Sequence, residues 1–320
     1  MPMVHENRPL DVISETDLAL IHALQIAPRA PWNLIGSVVG LDAATAARHW
    51  AQLTKENLAW FTVRASAQLL TPTTDAAVVR VQISPDLALD FATHMGAHAD
   101  VIAVDLVSGS HQVMIVIVGH GIEAVRARVA TLFANQPAVQ ASRYEFLALV
   151  HREDSQWRLR VLSESQKRQL HQTQQASERA VDPQLVHSLV DALQDDARLS
   201  FAALAERLNV SEATARRSLS RALRTDGIHL GCDVATQTVG LGRAVILEVS
   251  VDNLRESARV IASRHSVVRC AEFVASGNLL IMLRLATLAQ LAEFEAEIQQ
   301  HVPGWDVRDR QTVTRAVKRQ

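Results

Sequence analysis

The 320-residue chain is short of the residues that define several protein classes. Its two cysteines, Cys232 and Cys270, stand too far apart for a C-x-x-C ligand pair, and no leader argues for an oxidising compartment, so two buried, reduced thiols are expected. Long hydrophobic runs are missing as well. "VMIVIV" at 113–118 falls far short of the roughly 18 apolar residues that a membrane span needs, and "MPMVHENRPL" has neither the basic region nor the apolar core of a signal peptide. A cytoplasmic protein without a membrane partner is expected. Neither sign of charge dominates, since 32 Lys and Arg face 34 Asp and Glu for a formal net charge of −2. That balance does not exclude nucleic acid, because binding depends on where the basic groups sit. No glycine-rich phosphate loop, nucleophile elbow or assignable Ser/His/Asp order is present. The thirteen histidines are scattered: His94 and His98 share a helical face without a third ligand, and His111 and His120 merely flank a predicted strand. No catalytic residue, metal or cofactor is therefore expected, and the chain reads as a non-enzyme. Its composition, 48% hydrophobic and 21% charged, is that of a globular protein long enough for two or more cored domains.

What is present is an internal repeat. "HALQIAPRAPWNLIGSVVGLDAATAARHWAQL" (22–53) lies over "DALQDDARLSFAALAERLNVSEATARRSLSRAL" (191–223), aligning Arg29 with Arg198, Leu41 with Val210, Asp42 with Ser211 and Thr45 with Thr214. Downstream, an apolar strand ("AAVVRVQIS", "AVILEVSV"), a helical stretch and paired strands ("VIAVDLVSGSHQVMIVIV", "VVRCAEFVASGNLLIMLRL") recur in the same order. Each copy reads as a helical third followed by β-α-β-β-α-β. The expected domains are 10–64, 72–150, 182–235 and 236–320, with the Gln-, Arg- and Glu-rich segment 151–181 as a solvated helical connector.

The second helical third carries its own boundary signals. Asp182 and Pro183 suit an N-cap and first helical position, Asn209 suits a left-handed turn, and Ser211 can cap a third helix. On a wheel of roughly 100° per residue, Ala215, Leu219, Ala222 and Leu223 gather on one side of that helix. Arg217, Arg221 and Arg224 lie opposite, with Arg216 at the margin and Ser220 also outward. Guanidinium groups on a helix docked by its apolar stripe have the design of a recognition helix for the DNA major groove, where their fork pairs with phosphate or guanine. The first copy repeats the design with weaker charge: Asp42 as cap, Ala46, Trp50 and Leu53 inward, and Thr45, Arg48, His49, Gln52 and Lys55 outward.

Taken in order and repeated twice, "LDVISETDLALIHALQ" with "PRAPWNLIGSVVGLDAATAARHWAQLTKENL", and "ARLSFAALAERLNVSEATARRSLSRALRTDGI", resemble the DNA-binding third of the Lrp/AsnC ("feast/famine") transcription regulators. Asn57 stands at the usual glycine, which Gly227 keeps; His49 and Ser218 stand where the family commonly has arginine. The resemblance implies an α+β fold: two tandem copies of a winged helix-turn-helix domain, each followed by a ferredoxin-like βαββαβ domain that senses a ligand and pairs face to face with another. It further implies a ligand-responsive, sequence-specific regulator whose partners are double-stranded DNA, an amino acid or related metabolite as effector, and a second copy of itself. The effector region would lie at the turn between the second and third strands of each module. There Gly109 and Gly277 match the family's Gly-x-x-Asp, while Gln112 and Leu280 occupy its Asp position. Whether the two halves pair within one chain or between chains is open at this stage. Two other functions stay in view: an amino-acid-sensing regulatory subunit or metabolic enzyme that uses its helical domains for assembly, and an architectural protein that coats DNA.

Overall fold

The computed structural model describes residues 13–65, 74–171, 182–225 and 227–319. In chain order its elements are α1 (Glu15–Ile26), α2 (Trp32–Val39), α3 (Ala43–Lys55), β1 (Ala59–Ala65), β2 (Thr74–Ile83), α4 (Ala88–Gly96), β3 (Val101–Val107), β4 (Val113–His120), α5 (Ile122–Phe133), β5 (Val139–Arg152), α6 (Glu164–His171), α7 (Pro183–Leu193), α8 (Phe201–Leu208), α9 (Glu212–Arg224), β6 (Ile228–Val234), β7 (Arg243–Ser250), α10 (Leu254–Ala262), β8 (Val267–Val274), β9 (Leu279–Leu285), α11 (Gln290–His301) and β10 (Asp306–Arg319). The described residues fall into two compact units. One gathers positions up to 69 with 158–240, the other 70–157 with 241–320, so each draws one part from each copy of the repeat.

In the helical unit the local signals do what their chemistry dictates. The side chains of Ser14, Asp42, Asp182, Ser200 and Ser211 each accept a bond from a backbone N–H in the first turn of the helix that follows. Gly40 ends α2 and Asn209 ends α8 in the left-handed conformation. On α3, Ala46, Trp50 and Leu53 are buried; on α9, Ala215, Leu219 and Ala222 are. The two copies are then joined. Strands β1 and β6 pair antiparallel from Ala59↔Val234 to Ala65↔Ile228, and Phe61 and Val63 of the first copy pack on the core of the second.

A reciprocal arginine contact fixes this pairing. Arg29 donates from Nη1 to the Ala197 carbonyl (2.5 Å) and from Nη2 to that of Leu199 (2.7 Å), the two carbonyls that flank Arg198. Arg198 donates in turn to the carbonyls of Pro28 (2.6 Å) and Ala30 (2.8 Å), which flank Arg29. Each guanidinium also lies over an aromatic ring, Arg29 over Phe201 at 5.1 Å and Arg198 over Trp32 at 4.3 Å.

The segment expected as a solvated helical connector behaves differently. Leu159 and Leu162 are buried, the Leu159 N–H donates to Gln25 Oε1, and the N–H groups of Val161 and Leu162 donate to His22 Nδ1 on α1. A single 3-10 turn covers Asp154–Gln156, and α-helix begins only at Glu164. Apolar residues at 159 and 162 buried their side chains where composition alone pointed to solvent. Residues 172–181 of that segment, 10–12 of the first expected domain and 72–73 of the second lie outside the described residues.

The other unit is a single closed barrel of antiparallel strands in the order β10-β3-β4-β2-β5-β8-β9-β7. The mixed α+β class is as expected; closure is the new feature. Each module keeps one strand order, β5-β2-β4-β3 and β10-β7-β9-β8. Its last strand, 14 residues long, then runs past its own sheet onto the other module. β5 pairs β2 through 139–147 and β8 through 146–152, and β10 pairs β7 and β3 likewise. Side-chain alternation divides the strands between two environments. Ala77, Val79, Val81 and Ile83 of β2 pack under α4 and α5, as Val245, Leu247 and Val249 of β7 pack under α10 and α11. The intervening residues, Val78 and Arg80 or Ile246 and Glu248, turn to the barrel interior and are buried. Cys232 and Cys270 are free and buried, and burial pushes both thiols up, that of Cys270 to about 12.

Because each member of the arginine pair holds the loop that carries the other, their losses are coupled. Arg198→Ala forfeits two charge-assisted bonds and is expected to destabilise the chain by about 2–4 kcal/mol. The double variant with Arg29→Ala should cost clearly less than the sum of the single costs, as read from urea unfolding midpoints.

Candidate functional site

A charged cluster lies inside the largely apolar barrel, whose strands also bury Asp105 and Gln311. Arg80 on β2 is 1% exposed and Glu248 on β7 is 2% exposed. These residues hold the same position in the two repeats, "AVVRVQI" against "VILEVSV", and their side chains meet: Arg80 Nη2 donates to Glu248 Oε2 at 2.7 Å. Arg80 Nη1 donates to Glu145 Oε2 on β5 at 2.8 Å, its face lies 5.2 Å from the Phe273 ring centroid, and its buried Nε has no hydrogen-bond partner. Arg143, half-exposed and one β5 pleat away, approaches the other Glu145 oxygen at 3.2 Å. Burial alone would raise the Glu248 carboxyl. Bonds from Ser276 and Gly277 and the charges of Arg80 and Arg143 outweigh that, so it is held below the ordinary carboxylate value.

The β3–β4 and β8–β9 turns, where a ligand was expected, are unequal. Gly109 is exposed with φ +102°, and a Cβ built there would meet nothing within 4 Å. Gly277 is buried; a Cβ there would lie 2.6 Å from the Val249 carbonyl oxygen and 2.7 Å from Glu248 Cγ. Gln112 folds back on its own turn, Oε1 accepting from the Ile83 N–H and Nε2 donating to the Gly109 carbonyl, both at 3.0 Å. Leu280 is 5% exposed. His111, passed over in the sequence, sits beside Gly109 with its Nδ1 3.0 Å from Ser110 Oγ. Burial lowers the His111 pKa, and the charges of Arg143 and Arg80 lower it further against a smaller opposing effect of Asp309. The open turn, the His111 imidazole and the Arg143 guanidinium together make a half-exposed basic surface suited to a carboxylate-bearing ligand.

The helical faces expected to read DNA also differ between copies. On α9, Arg216, Arg217, Arg221 and Arg224 are exposed and Ser220 is half-exposed. Arg216 pairs with Glu212 at 3.1 Å and stacks on Phe201 at 4.3 Å, while Arg217 donates to Thr214 Oγ1 at 3.2 Å. On α3, Arg48 and Lys55 are exposed and Thr45 is spent on the Asp42 cap through its N–H. His49 Nδ1 lies 2.7 Å from Asp17 Oδ1 on α1, and Gln52 bonds Glu56. Arg48, His49 and Gln52 thus line a cavity of about 390 Å³ together with Asp17 and Glu56. His94 and His98 meet edge to face at 5.5 Å, and among the described residues no group of three or more His, Cys, Asp or Glu could hold a metal ion. No described helix is long and apolar enough to cross a membrane.

Residues 187–223 match the AsnC-type helix-turn-helix domain. No curated protein matches the chain. Among solved structures, siroheme decarboxylase NirDL in co-complex with an iron-uroporphyrin III analogue is similar at a TM-score of 0.57 and 15% identity, over 96% of this chain and 93% of that one. A further structure of siroheme decarboxylase NirDL gives 0.56 and 16% over the same shares. E. coli AsnC aligns with 42% of this chain and 91% of its own length, at a TM-score of 0.38 and 12% identity. At these identities the likeness to the decarboxylase is one of fold, and it extends through both copies of the repeat. This finding contradicts the expectation of a non-enzyme, because the solved structure that shares the fold over 96% of this chain is an enzyme. Arg80 and Glu248, the central pair of the buried cluster, are separated by 168 positions, so no local spacing in the sequence brings them together. The available signal was one charged residue in the middle of each apolar strand.

A depressed carboxyl pKa ties barrel stability to pH with a definite sign. The contribution of Glu248 is fully present above the unfolded-state value of about 4.3 and is lost as pH falls from there through the lower folded value. Denaturant midpoints followed from pH 6 to pH 3 should fall in that window for the native chain. They should fall less for Glu248→Gln, which starts from a lower plateau.

Proposed function

We propose that the chain is an enzyme that removes carboxyl groups from a tetrapyrrole bearing carboxylate side chains, a siroheme-decarboxylase type of activity. The observation that carries this reading is the end-to-end likeness to siroheme decarboxylase NirDL, through both copies of the duplication. The open first-copy turn supports it chemically. Loss of carbon dioxide from a side-chain carboxylate leaves an electron pair on carbon, which must take up a proton. Arg143 is half-exposed, with one contact to Glu145, and serves to orient a substrate carboxylate; Arg80, bound to two glutamates, sets the field behind it. His111 supplies the proton from its imidazolium form. On this reading the duplication consists of winged helix-turn-helix modules at 10–64 and 182–235 and ferredoxin-like modules at 72–150 and 236–320. The site uses Gly109 and Gln112 as turn framework, the helical unit serves assembly, and the self-association expected of the family is largely met by copies paired within one chain.

A second reading has its own observation, the AsnC-type match over 187–223 with four exposed arginines on α9. It is DNA binding by Arg216, Arg217, Ser220, Arg221 and Arg224, with Thr45, Arg48, His49, Gln52 and Lys55 contributing less. Replacing Arg217 and Arg221 by Ala should then weaken binding in gel-shift assays and reduce the log–log salt slope by roughly one per lost phosphate contact.

For the enzymatic reading, purified chain incubated with siroheme should yield products lighter by whole carbon dioxide units in mass spectrometry. His111→Gln should lower turnover by roughly 10²–10⁴-fold with substrate binding kept, while Arg143→Ala should act mainly on KM. Since the donor is the imidazolium and its pKa is lowered, activity should decline with rising pH through a value below about 6.5, and that limb should vanish in His111→Gln. Full activity in His111→Gln refutes the assignment of the residue; absence of both binding and product refutes the reaction class.

A further inference from the structure

Glu248 is bound as an external carboxylate would be. One oxygen accepts from Ser276 Oγ at 2.7 Å and from the Gly277 N–H at 2.9 Å, and the other accepts from the Arg80 guanidinium at 2.7 Å. A hydroxyl, a turn N–H and a guanidinium converging on one carboxylate form a complete recognition set with both oxygens engaged. The turn is shaped around that occupant. Gly277 must lack a side chain because its Cβ would lie 2.6 Å from the Val249 carbonyl oxygen and 2.7 Å from Glu248 Cγ, and Asn278 seals the flank through paired bonds with the backbone of Val251 at 3.0 and 2.8 Å. At the matching turn of the first copy the strand residue is Arg80, of opposite charge. Ser108 there accepts from the Thr312 N–H, and Gly109 is open to solvent.

We propose that the Ser276–Gly277 turn is a carboxylate-binding site kept filled by the chain's own Glu248, closed to outside ligands for as long as that side chain is present. The duplication thereby holds one filled and one open turn. The carboxylate of the filled turn pairs with the cation that the open copy contributed, which fixes Arg80 inside the barrel. This inference concerns the Glu248 site, which takes Arg80 from the first copy, and does not depend on the reaction assigned to the open turn.

Truncation to Glu248→Ala leaves Arg80, Ser276 and Gly277 around a space the size of an acetate ion. Acetate is the probe. Thermal unfolding of the full chain with increasing sodium acetate, against sodium chloride at equal ionic strength, should show a saturable rise of a few degrees in the midpoint of Glu248→Ala, because a ligand that binds only the folded state stabilises it. The native chain and Glu248→Gln, whose sites remain occupied, should respond to acetate no more than to chloride. If Glu248→Ala fails to fold in chloride, refolding yield with and without acetate reads the same site, and recovery in acetate alone is the expected result. Equal responses of all three proteins to acetate, or no acetate effect on Glu248→Ala in either assay, would overturn the proposal.

Discussion

Everything in the barrel follows from two strands that are too long for their own sheets. β5 and β10 each extend 14 residues, and half of each carries backbone donors and acceptors that its own module cannot pair. Unpaired backbone in an apolar setting is costly, so each strand completes its hydrogen bonding on the other module and the eight strands close without an edge. Closure in turn forces the inner faces together, and with them the one charged residue that each β2 or β7 strand places inward. A cation in one copy and an anion in the other make that juxtaposition tolerable. Two like charges at those positions would leave a buried repulsion with no nearby solvent to screen it.

The same logic of unequal copies runs through the helical unit. Arg29 and Arg198 are identical and reciprocal, each gripping the carbonyls around the other, and they fix the pairing. Where the copies differ, function has room to diverge. The α9 surface keeps four exposed arginines, whereas α3 exposes Arg48 and Lys55 and two of its other outward side chains are engaged with carboxylates, His49 with Asp17 and Gln52 with Glu56. In the barrel, the first turn stays open beside His111 and Arg143, and the second closes on Glu248.

Much of the local structure was legible in the sequence because it is decided locally. Caps at Asp42, Asp182 and Ser211, the left-handed Asn209 and the buried stripes of α3 and α9 depend on neighbours within a few residues, and they were found where the spacing put them. His49 and Gln112 were legible only in part, for the opposite reason. A wheel or a turn motif places the side chain, but its partner, Asp17 or the Ile83 backbone, comes from another element. Barrel closure lay beyond the reach of periodicity, since alternation in β5 and β10 looks the same whether a strand pairs one sheet or two. His111 was visible, yet isolated in sequence from the arginines that lower its pKa.

On the proposed reading, a carboxylate-rich tetrapyrrole sits at the open turn of the first copy. Absorbance titration of siroheme with the purified full-length chain tests it most directly. The account predicts a saturable change in the tetrapyrrole spectrum that charge reversal by Arg143→Glu weakens at least tenfold, as expected for losing about 1.4 kcal/mol or more of binding energy, and that the double substitution Arg217→Ala with Arg221→Ala leaves unchanged. A spectrum indifferent to the protein, or binding weakened by the α9 substitutions and not by Arg143→Glu, would contradict it.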